Sequence, residues 1–252
     1  MTPEQAHVEY VLRIGDNALI LGQRLSEWCG HGPVLEQDIA ITNIALDLIG
    51  QSRSIFDYAG RLEGKGRSED DIAFLRDAWD FRNVLLVEQP NRDWAYAIVR
   101  QFLFDGFHFL FQQAMTGSQD EQLAAIAEKS LKEITYHLRY SSEWMIRLGD
   151  GTEESHRRMQ TALDDLWPFS GELFEMNKVD QLVIDAGIGV DLGALRPVYD
   201  ERLDTILEQA TLHKPESDWM QSGGKEGRHT EHLGYILAEM QFLQRTYPNS
   251  EW

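Results

Sequence analysis

The chain of 252 residues is short of basic side chains, cysteine and uninterrupted apolar runs, and each shortage closes off a class of protein. Lysine and arginine number 23 against 42 aspartates and glutamates, which leaves a formal charge of −19. A nucleic-acid groove needs a basic face to displace counterions, and an anionic membrane attracts the same kind of face, so neither partner is expected. One cysteine, Cys29, cannot build an internal disulfide framework. It stands in Trp28-Cys29-Gly30 with no basic neighbour on either side and reads as a buried small hydrophobe rather than a reactive thiol. The first residues, Met1-Thr2-Pro3-Glu4-Gln5, lack the basic start and apolar run of a secretory signal. The longest apolar stretches, such as Phe102 to Phe111, are interrupted by Asp105 and His108 and are too short to span a bilayer. A soluble, cytoplasmic protein is the expectation. Disorder is a poor reading despite the charge, because 42% of the residues are hydrophobic. A chain of this mass buries roughly 70–75% of its unfolded surface.

Helix signals run along almost the whole length. Thr2-Pro3-Glu4-Gln5 offers a capping hydroxyl, a proline at the first helical position and Gln three residues after the cap. Ser118-Gln119-Asp120-Glu121 reads as a capping box, and Ser68 with Asp71 and Thr152 before Glu153-Glu154 read as acidic helix starts. Breaks fall at residues 29–33, 63–66, 89–91, 116–117 and 148–151, all rich in Gly, Pro or Asn. The pattern predicts helices near 4–28, 34–62, 68–86, 93–116, 119–148, 152–175, 194–211 and 229–247, with irregular structure after 176 and over 213–228. Long helices joined by short turns favour an up-down bundle, and no strand or repeat is evident. One all-α domain over 1–252 is expected, a helical bundle with extra flanking helices. The tryptophans at 28, 79, 94, 144, 167 and 219 read as core or interface anchors.

Two stretches are apolar on most faces, which places a helix in the interior. From Ile39 to Ile49 the polar exceptions are Thr42, Asn43 and Asp47; from Ile98 to Phe111 they are Arg100, Gln101, Asp105 and His108. Polar groups buried there cost several kcal/mol, on the order of the desolvation of one unpaired group, unless they find partners. Gln101, Asp105, His108 and Gln112 lie on one helical stripe, and the next helix carries Glu133 and His137 at i, i+4. Asp47 comes earlier, and Asp164-Asp165 precede Trp167-Pro168.

Carboxylates on four successive helices are the layout of a di-metal carboxylate bundle, which takes one carboxylate from each of two helices and Glu-x-x-His from each of the others. The fit is partial. Asp105-x-x-His108 has the spacing with a side chain one methylene short, and Asp47 and Glu133 supply single carboxylates. The second histidine is missing: Trp167 stands three after Asp164, and His137 is four after Glu133. The alternative is a hydrogen-bonded plug without metal, protonated His108 against Asp105 or Glu133, with Gln101 and Gln112 filling the remaining sites. A second candidate is the run Ser222 to Gly234. Its three glycines, Lys225 and Arg228 could cradle a phosphate ahead of a helix, and His229 and His232 could bind a metal. The competing reading is a glycine-rich loop feeding a helix capped near Thr230.

Several segments are more specific than any of these: residues Leu12-Arg13-Ile14-Gly15-Asp16-Asn17, the run from Gln23 through Cys29 to His31, Leu85-Leu86-Val87-Glu88-Gln89-Pro90-Asn91, Lys132 to Arg139, and His229-Thr230-Glu231-His232-Leu233-Gly234. In these, and over essentially its whole length, the chain resembles the structural C subunits of bacterial ring 1,2-phenylacetyl-CoA epoxidases. The resemblance implies a ferritin-like fold and a place in a multicomponent monooxygenase that epoxidises the ring of phenylacetyl-CoA during aerobic phenylacetate breakdown. It implies pairing with a homologous catalytic A subunit that holds the di-iron centre, within a complex that includes other epoxidase subunits and an NADPH-fed reductase. No cofactor is then expected on this chain, and no catalytic residue carries over to it. Asp47, Asp105, His108, Glu133, His137, Asp164 and Trp167 would mark a degenerate metal site. The residues also leave open a free-standing di-iron oxygenase or oxidase using Asp47, Asp105, His108, Glu133 and Asp164, and a CoA-phosphate contact at Lys225 and Arg228.

Overall fold

Capping side chains begin most helices where the sequence puts them. A computed structural model of the chain describes residues 1–248 and 250, and among these every regular element is helical. In order they are α1 (Pro3–Ser26), α2 (Leu35–Glu63), α3 (Glu69–Phe74), α4 (Trp94–Met115), α5 (Glu121–Gly149), α6 (Glu153–Leu166), α7 (Lys178–Asp185), α8 (Leu192–Gln209), α9 (Glu231–Met240) and α10 (Phe242–Thr246). The all-α expectation holds, consistent with a ferritin-like fold. Capping boxes close α1 at Thr2, α3 at Ser68 and α6 at Thr152. At α5 the cap is Asp120, which accepts from the N–H of Gln122 and Leu123; Ser118 instead donates to the Ile188 carbonyl.

By contacts the chain groups into two compact units, residues 1–88 with 223 onward, and residues 89–222. The first holds the α1–α2 hairpin. A Cβ added at Gly15 would overlap the Phe56 ring, and one at Gly22 would press on Ile49, so the two helices run antiparallel with glycines at their closest approach. The second holds the α4–α5 hairpin, against which α6 and α8 pack. There the Tyr199 ring of α8 lies over Gly106 of α4, and its hydroxyl donates to the Leu103 carbonyl at 3.1 Å.

Three expected helices are broken, two by tertiary bonding and one by a proline. Over 68–86 the helix ends at Phe74 and gives way to 3₁₀ turns at 78–80 and 85–88. The N–H groups of Arg82 and Val84 are taken by side chains of α1, Asp16 and Asn17, each at 2.8 Å, and so are lost to a helical ladder. Over 152–175 the helix stops at Leu166, just ahead of Pro168, which has no N–H to donate. Over 229–247 it breaks at Gln241, whose buried amide caps the Ala73 and Arg76 carbonyls. One helix arises where irregular structure was expected: α7, capped by Asn177 with Asp180.

Two burial expectations also change. Cys29 is exposed, because α1 ends at Ser26 and the thiol sits in the turn beyond it. Helix α4 is buried on nearly every face as its composition demands. Helix α2 is not: Ile39 and Leu46 are 52% and 61% exposed.

Candidate functional site

The polar stripe of α4 forms two buried hydrogen-bonded sets inside the second unit, one around Asp105 and one around His108. Asp105 is fully buried; its Oδ1 accepts from Gln101 Nε2 at 2.7 Å and its Oδ2 from Ser141 Oγ of α5 at 2.8 Å. Burial pushes its carboxyl up to about 7, against the pull of the His137 ring and the hydrogen bonds from Ser141 and Gln101. His108 turns the other way along the helix, its Nε2 3.2 Å from Gln112 Nε2. The amide N–H donates there, which assigns the proton of the neutral ring to Nδ1. Burial, aided by the neighbouring His137 ring, pushes His108 down to about 3. The protonated His108 of the plug reading is therefore replaced by a neutral ring, because neither carboxylate bonds it and desolvation disfavours its charge. Its buried Nδ1 has no hydrogen-bond partner. His137 is fully buried on α5, one turn before Ser141.

The other candidate positions do not join this network as ligands. Glu133 is half-buried on α5 and Asp47 half-buried on α2 of the first unit. Asp164 is exposed and accepts from Gln160 at 2.9 Å, while Trp167 is buried at the end of α6 with the Lys214 ammonium 5.6 Å from its ring centre. Among the described residues no group of three or more His, Cys, Asp or Glu is placed to hold a metal ion. A di-iron centre needs several carboxylates and two imidazoles converging on open positions. Of the candidate carboxylates Asp47, Asp105, Glu133 and Asp164, only Asp105 is fully buried, and it is taken up by an amide and a hydroxyl, so the donor set does not fit that group.

The glycine-rich run forms a latch in the first unit. His229 donates from Nδ1 to Glu88 at 2.9 Å and from Nε2 to the Phe81 carbonyl at 3.0 Å. Two acceptors require two N–H groups, hence an imidazolium. Burial alone would lower its pKa, but the Glu88 carboxylate and the Phe81 carbonyl outweigh it and the net shift is upward. Glu88 is fully buried and also accepts from Asn83 Nδ2 and from the N–H and hydroxyl of Thr230, the cap of α9. Gly224 packs so tightly on the Asn83 carbonyl that a Cβ would overlap it. Arg228 pairs at the surface with Glu226, and the Lys225 carbonyl accepts from Arg13. His232 contributes its N–H to the Thr230 cap.

Four of the five segments most specific in the sequence share one task, while Lys132 to Arg139 lies apart on α5. Asp16 holds a two-pronged pair with Arg76, whose guanidinium lies between the Phe56 and Phe81 rings. Arg24 donates twice to the Glu88 carbonyl, and fully buried Arg100 ties Gln89 and Asn91. They secure the irregular connection from α3 to α4. Sequence reasoning missed Glu88 and Asp16, although an acid in Leu85-Leu86-Val87-Glu88 is the same signal that exposed Asp105. Ser141, four residues after His137, was missed too.

An all-α protein with a buried polar plug on its central hairpin, and no assembled metal-ligand set among the described residues, is the class that fold and site define. The family model for phenylacetic acid catabolic proteins matches residues 1–252. The chain is 48% identical over 243 residues to the C subunit of the 1,2-phenylacetyl-CoA epoxidase of Escherichia coli (strain K12), an alignment covering 96% of this chain and 98% of that protein. It belongs to the family of phenylacetic acid catabolic proteins.

Proposed function

We propose that this chain is a non-catalytic, structural subunit of a phenylacetyl-CoA epoxidase complex that pairs with and stabilises a homologous di-iron A subunit. The name of its relative, a subunit of that epoxidase, supports a multi-subunit setting. The observation that carries the non-catalytic part is the plug itself: Gln101, Ser141 and Gln112 bond the Asp105 and His108 groups that a metal would need. The chain would leave redox chemistry to its partner and bind no iron. Anaerobic loading with Fe(II) followed by iron analysis should give no stoichiometric binding; about two irons per chain would overturn the proposal in favour of a free-standing oxygenase.

The pairing part is supported by α2. Leu35, Ile39, Thr42, Leu46 and Ile49 recur at alternating steps of four and three, the spacing of a helix-packing seam. Leu35, Ile39 and Leu46 are more than half exposed. A homologous helical subunit offers the complementary long helix such a seam requires. Mixing with the A subunit should shift the chain to an earlier elution volume in size exclusion, and Leu46→Asp should abolish the shift. Co-elution unaffected by Leu46→Asp would move the interface elsewhere.

A further inference from the structure

A second exposed apolar surface lies in the first unit, away from α2. Helix α1 packs against both α2 and α9. On α9 and α10 the outward side chains are Glu231, Tyr235, Glu239 and Phe242, with Trp79 alongside on the 3₁₀ turn that packs on α9. Trp79, Tyr235 and Phe242 are 75%, 69% and 59% exposed. Among the described residues none of these three rings has a hydrogen bond or ring contact. Beside Phe242 a shallow groove is floored by Ala78, Gly234 and Ala238, small residues that admit another chain's side chain.

The surface is rigidly presented. Gln241 and Arg245 donate to the carbonyls of residues 73, 74 and 76, and Arg245 also pairs with Asp77 at 3.0 Å. This clamp fixes α9 and α10 on the segment after α3, so little ordering remains to oppose docking. Large exposed aromatics around a groove are the composition of an interface hot spot, not of a solvated helix face.

Charge selects the occupant. Glu231 and Glu239 flank Tyr235 by one turn on either side, and Asp70, Asp71 and Asp77 line the grooves beside α10. The one arginine lining these grooves among the described residues, Arg245, is already engaged. A second copy would bring acid against acid, and an anionic membrane would be repelled. We propose that Trp79, Tyr235 and Phe242 form a second docking face, for a protein component of the epoxidase complex that presents lysines or arginines around apolar anchors. The chain would then bridge two partners, the A subunit at α2 and a basic component here. This rests on the subunit reading above.

The test starts from the pre-formed pair with the A subunit. Each remaining epoxidase subunit and the reductase is added singly, and binding is measured by biolayer interferometry at low and high salt. Wild-type pair should bind one of them with salt-sensitive affinity. Trp79→Ser/Tyr235→Ser/Phe242→Ser should weaken that binding tenfold or more with unchanged circular dichroism, and Glu231→Lys/Glu239→Lys should weaken it and flatten the salt dependence. The proposal is overturned if no component binds, if binding survives the triple substitution, if the substitutions release the A subunit instead, or if they change only self-association of the chain. Failure of the wild-type chain to pair with A would count against the subunit reading alone, since the components can then be tested on the chain by itself.

Discussion

Glu88 gathers three side-chain donors and a backbone N–H into one buried site, and what happens when it is removed follows from that count. Glu88→Ala would strand a buried imidazolium, so a loss of about 3–5 kcal/mol is expected in urea unfolding. His229 gives the pH dependence its sign. Its folded pKa lies above the unfolded value of about 6.5, so its contribution is complete below that pH and fades as pH rises through the folded pKa. In His229→Gln, stability should be lower throughout and flatter on the alkaline side. Asp105 runs in the opposite sense to most carboxylates. Its folded pKa of about 7 exceeds the unfolded value of about 3.9, so stability falls as pH rises between the two. Asp105→Asn keeps the neutral form and should raise the melting temperature at pH 8 by more than at pH 5; a larger gain at pH 5 would contradict a neutral, metal-free plug.

At the scale of elements, glycine sets how closely the first hairpin packs. Gly15 lies inside one of the segments on which the family resemblance rests, and the Phe56 ring fills the space its side chain would need. Gly15→Ala should cost about 1–3 kcal/mol through overpacking, whereas Gly50→Ala, on the open face of α2, should be neutral or slightly stabilising. Equal effects at both positions in thermal unfolding would sink this account. Helix existence was legible in the sequence wherever a cap and a periodic face coincided, as at Thr2, Ser68 and Thr152. The breaks at residues 75–93 were not, because the competing bonds come from Asp16 and Asn17, more than sixty positions earlier. The site was legible to the same degree: Gln101, Asp105, His108 and Gln112 shared a stripe, but only the fold brings Ser141 to Asp105.

For the whole molecule, the charge of −19 bears on what the chain binds by itself. An acyl-CoA carries several phosphates, which the field of so acidic a chain repels. Calorimetric titration of the isolated chain with phenylacetyl-CoA should be flat at millimolar ligand. Saturable binding that is lost on charge reversal of Lys225 and Arg228 would revive the phosphate reading of the glycine-rich run. No helix among the described residues is long and apolar enough to cross a membrane, in keeping with the interrupted hydrophobic stretches.

The sequence by itself determined the helical class, the family and the interior position of α4, since periodicity, caps and composition act locally, even where distant side chains later shorten a helix or leave a face uncovered. It also marked Asp105 and His108 as groups in need of partners. Which partners they take was decided by tertiary structure alone: a carboxylate and an imidazole on one stripe suit a metal or a plug equally, and the choice lies with residues on another helix. The same holds for α2 and for Cys29. An apolar helix face and a small thiol look like core in any sequence, and only the arrangement of neighbours leaves them at the surface, where the first becomes a seam for another chain.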